Sequence, residues 1–303
     1  MNNLIGVLLR WREEAVALVG DIRKMFNSVH LKETGKHCHR FLWRDFKVNR
    51  PPDIYVMERV NMGDTPAPAI STEAIYKTAE RFKEDSPEAA ELLKNSTYVD
   101  DLIDSKPNLS FALKVANETE CMLAKGGFSV KCWQFSGEEN PQVNVAQLQS
   151  DVHESHSAQK TGHSLSMLKG TDASLRVLGL GWDPRSDVIL YEVTLNFSSK
   201  RRGIRTGANL KQVDLPKALP DTLTKKTVLE QVMKIYDPLG LVSPFTLLAK
   251  IYLREVWSRN LDWDTPLPAD LTTKWISFFT TLFQLEHLRL PRTLRPRDAV
   301  RRP

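Results

Sequence analysis

Three aspartates in the N-terminal half of the sequence could together bind divalent cations. Asp100 and Asp101 are adjacent within STYVDDLID, a segment of mostly apolar and small residues, and Asp21 lies near the end of the apolar segment AVALVGDI. Neighbouring carboxylates repel one another, and a bound cation offsets that repulsion. Carboxylate oxygens are ligands that Mg²⁺ and Mn²⁺ prefer. Two such ions about 4 Å apart can orient an attacking hydroxyl group and stabilise a leaving pyrophosphate, which is the chemistry of nucleotidyl transfer.

An adjacent pair of aspartates alone is more typical of a solvent-exposed turn. Here the apolar residues around Asp100 and Asp101, together with the separate Asp21 upstream, favour a clustered site instead. A third acid, Asp104, follows the pair, and the pattern assigns it no role beyond that of a turn residue.

The elements around these acids are predicted to form one sheet with helices packed against it. Hydrophobic patterning predicts strands over residues 15–22, 96–104 and 128–135. It predicts amphipathic helices over residues 69–85 and 107–125, the second closed by a Gly-Gly pair. If the first two strands pair in one sheet, the three carboxylates converge on one edge.

Further elements are predicted outside this sheet. Two aromatic and β-branched segments within residues 39–60 are separated by a Pro-Pro pair and predict a hairpin. In the second half of the chain, strands are predicted in RVLGLGW and VILYEVTLNF, and helices in LTKKTVLEQVMKIYDP, PFTLLAKIYLREVWSRN and ADLTTKWISFFTTLFQLEHL. Thr224 is a candidate cap for the first of these helices.

The composition permits a large folded core and a polyanionic partner. The chain has 303 residues, of which 41% are hydrophobic and 26% charged, and this excludes a disordered protein. Its net charge of +5 is mildly basic. Three irregularly spaced cysteines favour a reducing compartment. We therefore expect a cytoplasmic protein, with a virus-like particle or the nucleus as further locations. No apolar run approaches the roughly 18 residues that cross a membrane, so no membrane partner is expected; the oligomeric state is not predicted.

Several segments resemble the polyprotein of BEL/Pao long-terminal-repeat retrotransposons, and YVDD resembles the catalytic motif of reverse transcriptases. The matching segments are MNNLIGVLLRWRE, VALVGDIRKMFNSV, RFLWRD, VNMGDTPAPAISTEAIYKTAE, STYVDDLIDS, GGFSVKCW, VLGLGWDP, LTKKTVLEQVMKIYDPLGLVSPFTLLAKIYLREVW and LDWDTPLP. They span nearly the whole chain, and together they are far more specific than any one of them.

The resemblance implies an α+β fold, with a reverse-transcriptase-like palm followed by a helical thumb or connection. The palm is an antiparallel sheet backed by helices. A fingers subdomain is expected to be largely absent, because only 20 residues precede Asp21. The implied segments are a palm at 1–136, a polar surface loop at 137–171, primer-grip and thumb strands at 172–215, a helical connection of Pao type at 216–290 and a basic tail at 291–303.

The resemblance also implies the roles of the three acids. Asp21 matches the first palm carboxylate, and Asp100 and Asp101 match the YVDD pair; all three are implied to be catalytic and to bind two Mg²⁺ or Mn²⁺ ions. The implied partners are an RNA or DNA template with its primer and deoxynucleoside triphosphates.

Three further residues match positions that bind the substrate. Phe26 falls at the aromatic steric gate under the sugar of the incoming nucleotide, although core packing is the alternative. Gly63 lies in MGDTPAP, at the loop that supports nucleotide and template. Lys131 falls near the nucleotide phosphates, with an exposed strand lysine as the alternative.

The implied function is that of an RNA-directed DNA polymerase (reverse transcriptase) fragment acting by two-metal nucleotidyl transfer. The alternative is a catalytically inactive, truncated remnant that at most binds nucleic acid. An aspartic peptidase is a third interpretation, because the C-terminal region is catalogued in part as a Pao retrotransposon peptidase. The chain has no Asp-Thr/Ser-Gly motif, however, and Arg205-Thr206-Gly207 lacks the acid.

Overall fold

The protein, described here as a computed structural model, divides into two compact units. The structure describes residues 2–137, 175–202, 204–215 and 217–295. The first unit is Met1–Ala173 with Pro184–Asp187 and Arg292–Pro303, and the second is Ser174–Asp183 with Val188–Pro291. The predicted polar loop at 137–171 lies almost entirely outside the described residues, as does most of the predicted basic tail.

The first unit is a four-stranded antiparallel sheet with helices packed against it. Its helices are α1 (Leu4–Trp11), α2 (Glu33–Lys36), α3 (Ala67–Arg81), α4 (Pro87–Asn95) and α5 (Leu109–Lys125), and a 3₁₀ turn spans Phe26–Ser28. Its strands are β1 (Val16–Ile22), β2 (Arg40–Trp43), β3 (Asp53–Val56), β4 (Thr97–Tyr98), β5 (Asp101–Lys106) and β6 (Val130–Phe135). The main sheet has the order β4-β5-β1-β6, and β2 pairs with β3 in a separate hairpin.

The core of the first unit lies between the sheet and helices α3, α4 and α5. Leu18, Leu102 and Trp133 from the sheet are fully buried with Ile75 of α3 and Ala116 of α5. Side-chain caps fix where two of the helices begin: Ser86 accepts a hydrogen bond from Ala89 N before α4, and Asn108 accepts one from Phe111 N before α5. The apolar face of each helix thus meets the apolar face of the sheet.

The second unit combines an antiparallel sheet with three α-helices and two 3₁₀ turns among the residues described. Its strands are β7 (Leu175–Val177), β8 (Leu180–Asp183), β9 (Val188–Leu190), β10 (Lys200–Arg201), β11 (Ile204–Arg205) and β12 (Arg289–Pro291); its helices are α6 (Lys225–Val232), α7 (Ser243–Ser258) and α8 (Ala269–Leu282). The 3₁₀ turns span Gln212–Asp214 and Phe283–His287. The main sheet has the order β12-β9-β8-β7, and β10 pairs with β11.

The core of the second unit is aromatic. Trp275, Phe278 and Phe279 of α8 lie with their ring centroids 5.5–5.7 Å apart, and Tyr252 of α7 packs edge-on against Trp275. Thr224 caps α6 as predicted, by accepting a hydrogen bond from Thr227 N. The predicted α+β class is confirmed in both units. Within the described residues, no helix combines the length and apolarity needed to span a membrane.

Candidate active site

The structure brings the three predicted aspartates together at one end of the β1–β5 strand pair. Asp21 and Asp101 are directly opposite each other in the antiparallel register. The carbonyl oxygen of Asp100 accepts a hydrogen bond from Ile22 N at 2.8 Å, which places Asp100 beside the end of β1. The two predicted strands therefore do pair in one sheet, and their carboxylates share one end of it.

A tight, strained turn presents the YVDD residues. Tyr98 pairs with Asp101, so Val99 and Asp100 alone connect β4 to β5. Two-residue hairpin turns need positive φ, and Val99 has φ of +55°. A β-branched residue rarely adopts this conformation, because it costs about 1–3 kcal/mol. Residues strained in this way tend to occur at functional sites. The segment predicted as one strand is thus a hairpin with the aspartates at its tip.

A β-bulge lies directly across from Asp21. Gly20 pairs with Trp133 and Ile22 with Val130, so two residues of β6, Lys131 and Cys132, face Asp21 alone. Bulges of this kind bend a strand and redirect side chains, and they are frequent beside active sites. Neither the bulge nor the position of Cys132 beside the acids is predictable from the sequence pattern, because both depend on strand register.

Gly20 allows the indole of Trp133 to lie against the backbone next to Asp21. A Cβ atom at residue 20 would be 2.8 Å from two ring atoms of Trp133. Trp133 is fully buried, and its Nε1–H donates a hydrogen bond to Glu120 Oε1 at 3.1 Å. The ring therefore cannot move aside easily, and no larger residue fits at position 20.

We predict that Gly20→Ala lowers the free energy of unfolding by about 1–3 kcal/mol, the usual cost of overpacking a core. Gly6→Ala in α1 is the matched control, because its Cβ would meet nothing closer than 3.8 Å. That change should stabilise the chain by about 0.5–1 kcal/mol. Urea denaturation measures both. Equal effects of the two substitutions would show that the Trp133 contact does not constrain residue 20.

The electrostatics of the site disfavour three charged carboxylates. The pKa of Asp101 is raised to about 6, first by burial and then by the negative charges of Asp100 and Asp21. Burial also raises the pKa of the Cys132 thiol, and Asp21 adds to the effect. At neutral pH the site therefore holds charge at a cost, which a cation would offset.

The raised pKa of Asp101 predicts a pH dependence of stability. Between about pH 4 and 6 the folded chain binds more protons at Asp101 than the unfolded chain does, so the free energy of unfolding falls as the pH rises. Because Asp101 is partly exposed, we expect only about 1–2 kcal/mol from this group. The difference in stability between Asp101→Asn and the wild type should be near zero at pH 4 and should reach that value above pH 6.5. Urea titrations across this range measure it, and a difference independent of pH would contradict the prediction.

The carboxylate oxygens of the site suit a hard divalent cation, although they do not surround a metal position completely. In the described part of the chain, no group of three or more His, Cys, Asp or Glu side chains converges closely enough to hold a metal ion. Mg²⁺ is commonly held by one or two carboxylates, with substrate phosphates and water as the other ligands. Asp21 and Asp101, which lie opposite each other, supply the one or two carboxylates that such a site needs.

The predicted substrate-binding residues lie in three different settings. Phe26 begins the 3₁₀ turn after β1 and packs, partly buried, against the core of the first unit. Gly63 lies in the loop before α3 with φ of +100°, a conformation that favours glycine. Lys131 is exposed on β6, in the bulge opposite Asp21. Of the three, only Lys131 adjoins a predicted carboxylate through strand pairing, and the roles of all three stay predictions.

Asp104 is not a turn residue, and that prediction is wrong. It lies within β5 opposite Leu18, is buried, and pairs with Lys106 Nζ at 2.8 Å. Its carboxylate also accepts a hydrogen bond from Ser105 N at 2.9 Å. Asp104 is thus a structural acid on the strand that begins with Asp101.

The chain is similar to a known family and to two solved structures. Residues 224–302 match the family model of the Pao retrotransposon-like RNaseH-like domain, a description that differs from the expected peptidase label. The structure of the foamy viral protease-reverse transcriptase dRH in complex with ds DNA has a TM-score of 0.51 and 12% identity, over 94% of this chain and 38% of that one. A second solved structure, the foamy viral protease-reverse transcriptase in complex with RNA/DNA hybrid, has a TM-score of 0.47 and 13% identity. The match covers 93% of this chain and 29% of that one. No curated protein matches the sequence.

These comparisons support the fold and identify a family similar to the C-terminal part of the chain. This chain spans less than two fifths of the length of either foamy viral chain. At 12% identity, the first match concerns the fold alone, and it confirms the predicted reverse-transcriptase-like architecture. Residues 224–302 are similar to the Pao retrotransposon-like RNaseH-like domain, and the chain has a fold similar to that of the foamy viral protease-reverse transcriptase.

Proposed function

We propose that this chain is the RNA-directed DNA polymerase part of a BEL/Pao retrotransposon protein. The observation that carries the proposal is the placement of Asp21 opposite Asp101, with Asp100 in the strained turn beside them. A cluster of carboxylates in which the pKa of Asp101 is raised suits divalent cations, and it occurs on a fold shared with a retroviral reverse transcriptase.

The proposed site residues act on a primer end and an incoming deoxynucleoside triphosphate. Asp21, Asp100 and Asp101 would hold two Mg²⁺ or Mn²⁺ ions, which supply charge stabilisation for the attacking and leaving oxygens. Lys131 is exposed in the bulge facing Asp21, where its ammonium group can attract the triphosphate.

Two further residues are proposed to select and support the nucleotide. Phe26 follows β1, and its ring would exclude a ribose 2′-hydroxyl. Gly63 gives the loop before α3 its left-handed backbone and leaves open space, since no atom lies within 4 Å of a Cβ built there.

For the RNaseH-like region we propose a connecting role. Several of its acids are engaged in structural contacts: Glu255 pairs with Lys274 at 2.6 Å, and Asp270 pairs with Arg259 at 2.7 Å. Asp237 accepts hydrogen bonds from the backbone of Leu241 and Val242.

The aspartic peptidase interpretation gains no support from the Arg205-Thr206-Gly207 triplet. Arg205 of the Arg205-Thr206-Gly207 triplet forms an ion pair with Glu230 at 2.6 Å. An aspartic peptidase needs a carboxylate at that position.

A primer-extension assay with an RNA template, a DNA primer and Mg²⁺ tests the proposed polymerase. The wild-type chain should add deoxynucleotides, and both EDTA and Asp100→Asn should stop the addition. Extension that is unchanged in Asp100→Asn would remove the assignment of the site. A wild-type chain that binds the primer–template but never extends it would indicate the inactive remnant instead.

A further inference from the structure

The hairpin formed by β2, β3 and the loop between them, residues 40–56, is the most apolar exposed surface in the described part of the first unit. Every residue of both strands is exposed. The exposed large apolar side chains are Phe41, Leu42, Trp43, Phe46, Val48, Ile54, Tyr55 and Val56. An isolated two-stranded sheet is marginally stable in water, and an exposed apolar patch of this kind usually marks an interaction site. We call residues 40–56 the hairpin surface.

One face of the hairpin surface is aromatic. Phe41 pairs with Tyr55 across the strands, and their rings stack with centroids 5.6 Å apart. Trp43 lies two residues from Phe41, hence on the same face, and Phe46 packs edge-on against it at 5.3 Å. Phe46 is 87% exposed, and the other three rings are each more than 40% exposed. Four partly open rings therefore lie on or beside one face.

The hairpin surface is also cationic. Residues 40–56 include four lysines and arginines against two acids. Arg50 is held by Asp45 and Asp53. Arg44 and Lys47 lie in the loop, and their side chains form no ion pair with any residue that the structure describes. Two cations therefore stand beside the aromatic face, available to an anionic ligand.

We propose that the hairpin surface binds single-stranded RNA or DNA, with unpaired bases on the rings of Phe41, Trp43 and Tyr55 and phosphates at Arg44 and Lys47. Proteins that bind single strands without sequence preference use exposed aromatic rings together with basic side chains, because every base has a face that can stack on a ring. The opposite face, with Leu42 and Ile54, lacks rings and would suit a polypeptide. The proposal rests on the proposed function only in taking nucleic acid as the ligand.

Fluorescence anisotropy with a labelled 20-nucleotide oligothymidylate tests this proposal on the full chain, in EDTA so that no divalent ion takes part. Trp43→Ala should raise Kd about tenfold, in line with the loss of stacking on one ring. Trp43→Phe should restore most of the affinity, which excludes a mere loss of the hairpin. Arg44→Gln with Lys47→Gln should reduce the slope of log Kd against log salt by about 1.4, or about 0.7 for each phosphate contact.

The matched control removes two exposed cations elsewhere in the same unit, by Lys77→Gln with Lys114→Gln. Its slope of log Kd against log salt should equal that of the wild type. If both double variants reduced this slope equally, the effect would come from net charge alone and the proposal would be overturned.

Leu42→Ser with Ile54→Ser, on the opposite face of the hairpin, should leave Kd unchanged. If this variant instead abolishes self-association in light scattering, and Trp43→Ala binds normally, the surface is a protein interface. Asp100→Asn should bind the single strand like the wild type, which separates this test from that of the polymerase.

Discussion

Asp101→Asn should slow primer extension about a thousandfold and at the same time make the folded chain more stable. The substitution removes the carboxylate that faces Asp21 across the β1–β5 pair. Bound metal supplies several kcal/mol of stabilisation to the transition state, and about 1.4 kcal/mol corresponds to a factor of ten in rate. Single-turnover addition of one deoxynucleotide at pH 7.5 in Mg²⁺ measures this loss.

The gain in stability has the same origin as the loss of activity. Asn carries no charge, so burial and the carboxylates of Asp100 and Asp21 no longer oppose folding through residue 101. About 1–2 kcal/mol should raise the melting temperature by roughly 2–6 °C. Opposite changes in activity and stability are expected where a site holds like charges together for function.

Asp104→Asn is the matched control, because it removes an acid from the same strand. Asp104 is buried and already paired with Lys106, so its loss should cost about 2 kcal/mol of stability. Activity below the melting temperature should change little, since Asp104 does not face Asp21. If Asp101→Asn also lost stability and kept its activity, the Asp21–Asp101 pair would be structural only.

Several elements of the fold could be predicted from the sequence because their signals are local. The apolar run ending near Asp21 is β1, and the 3.6-residue periodicity after the Pro-Ala-Pro segment is α3. The sequence pattern above does not predict helices α1 and α4, although both have local capping signals. Ser86 with Pro87 is a recognisable start for α4, and Asn3 caps α1, a helix of only eight residues. Short helices depend on tertiary packing, here of Leu8 and Trp11, which the sequence alone does not reveal.

Other boundaries depend on pairing partners distant in sequence. The predicted strand VILYEVTLNF pairs only over Val188–Leu190, because β12 offers just three residues against it. At the site, the residue types of the acids were enough to propose a cluster. The Val99 turn and the bulge at Lys131 and Cys132 arise from strand register, which no single segment encodes.

Arg292 is a buried cation in the segment predicted as a basic tail. Its side chain is fully buried and forms two bonds to Asp187, at 2.7 and 2.9 Å. It also donates to the carbonyl oxygens of Glu14 and Ala15, each at 3.0 Å, and to that of Trp11. These carbonyls lie between the end of α1 and the start of β1, the strand that carries Asp21. Arg292 therefore fixes the chain at the entry to that strand.

Arg292→Met should lower the free energy of unfolding by about 3–5 kcal/mol, the usual effect of breaking a buried ion pair from one side. The change leaves the Asp187 carboxylate buried without its guanidinium partner and takes the donor from three backbone carbonyls. Urea denaturation measures the loss. Arg295→Met is the matched control, because Arg295 pairs with Glu14 but its side chain is 41% exposed, and it should cost less than about 1 kcal/mol. Similar losses in both variants would mean that Arg292 contributes only surface charge, whereas a loss confined to Arg292 would show that the start of β1 depends on this contact.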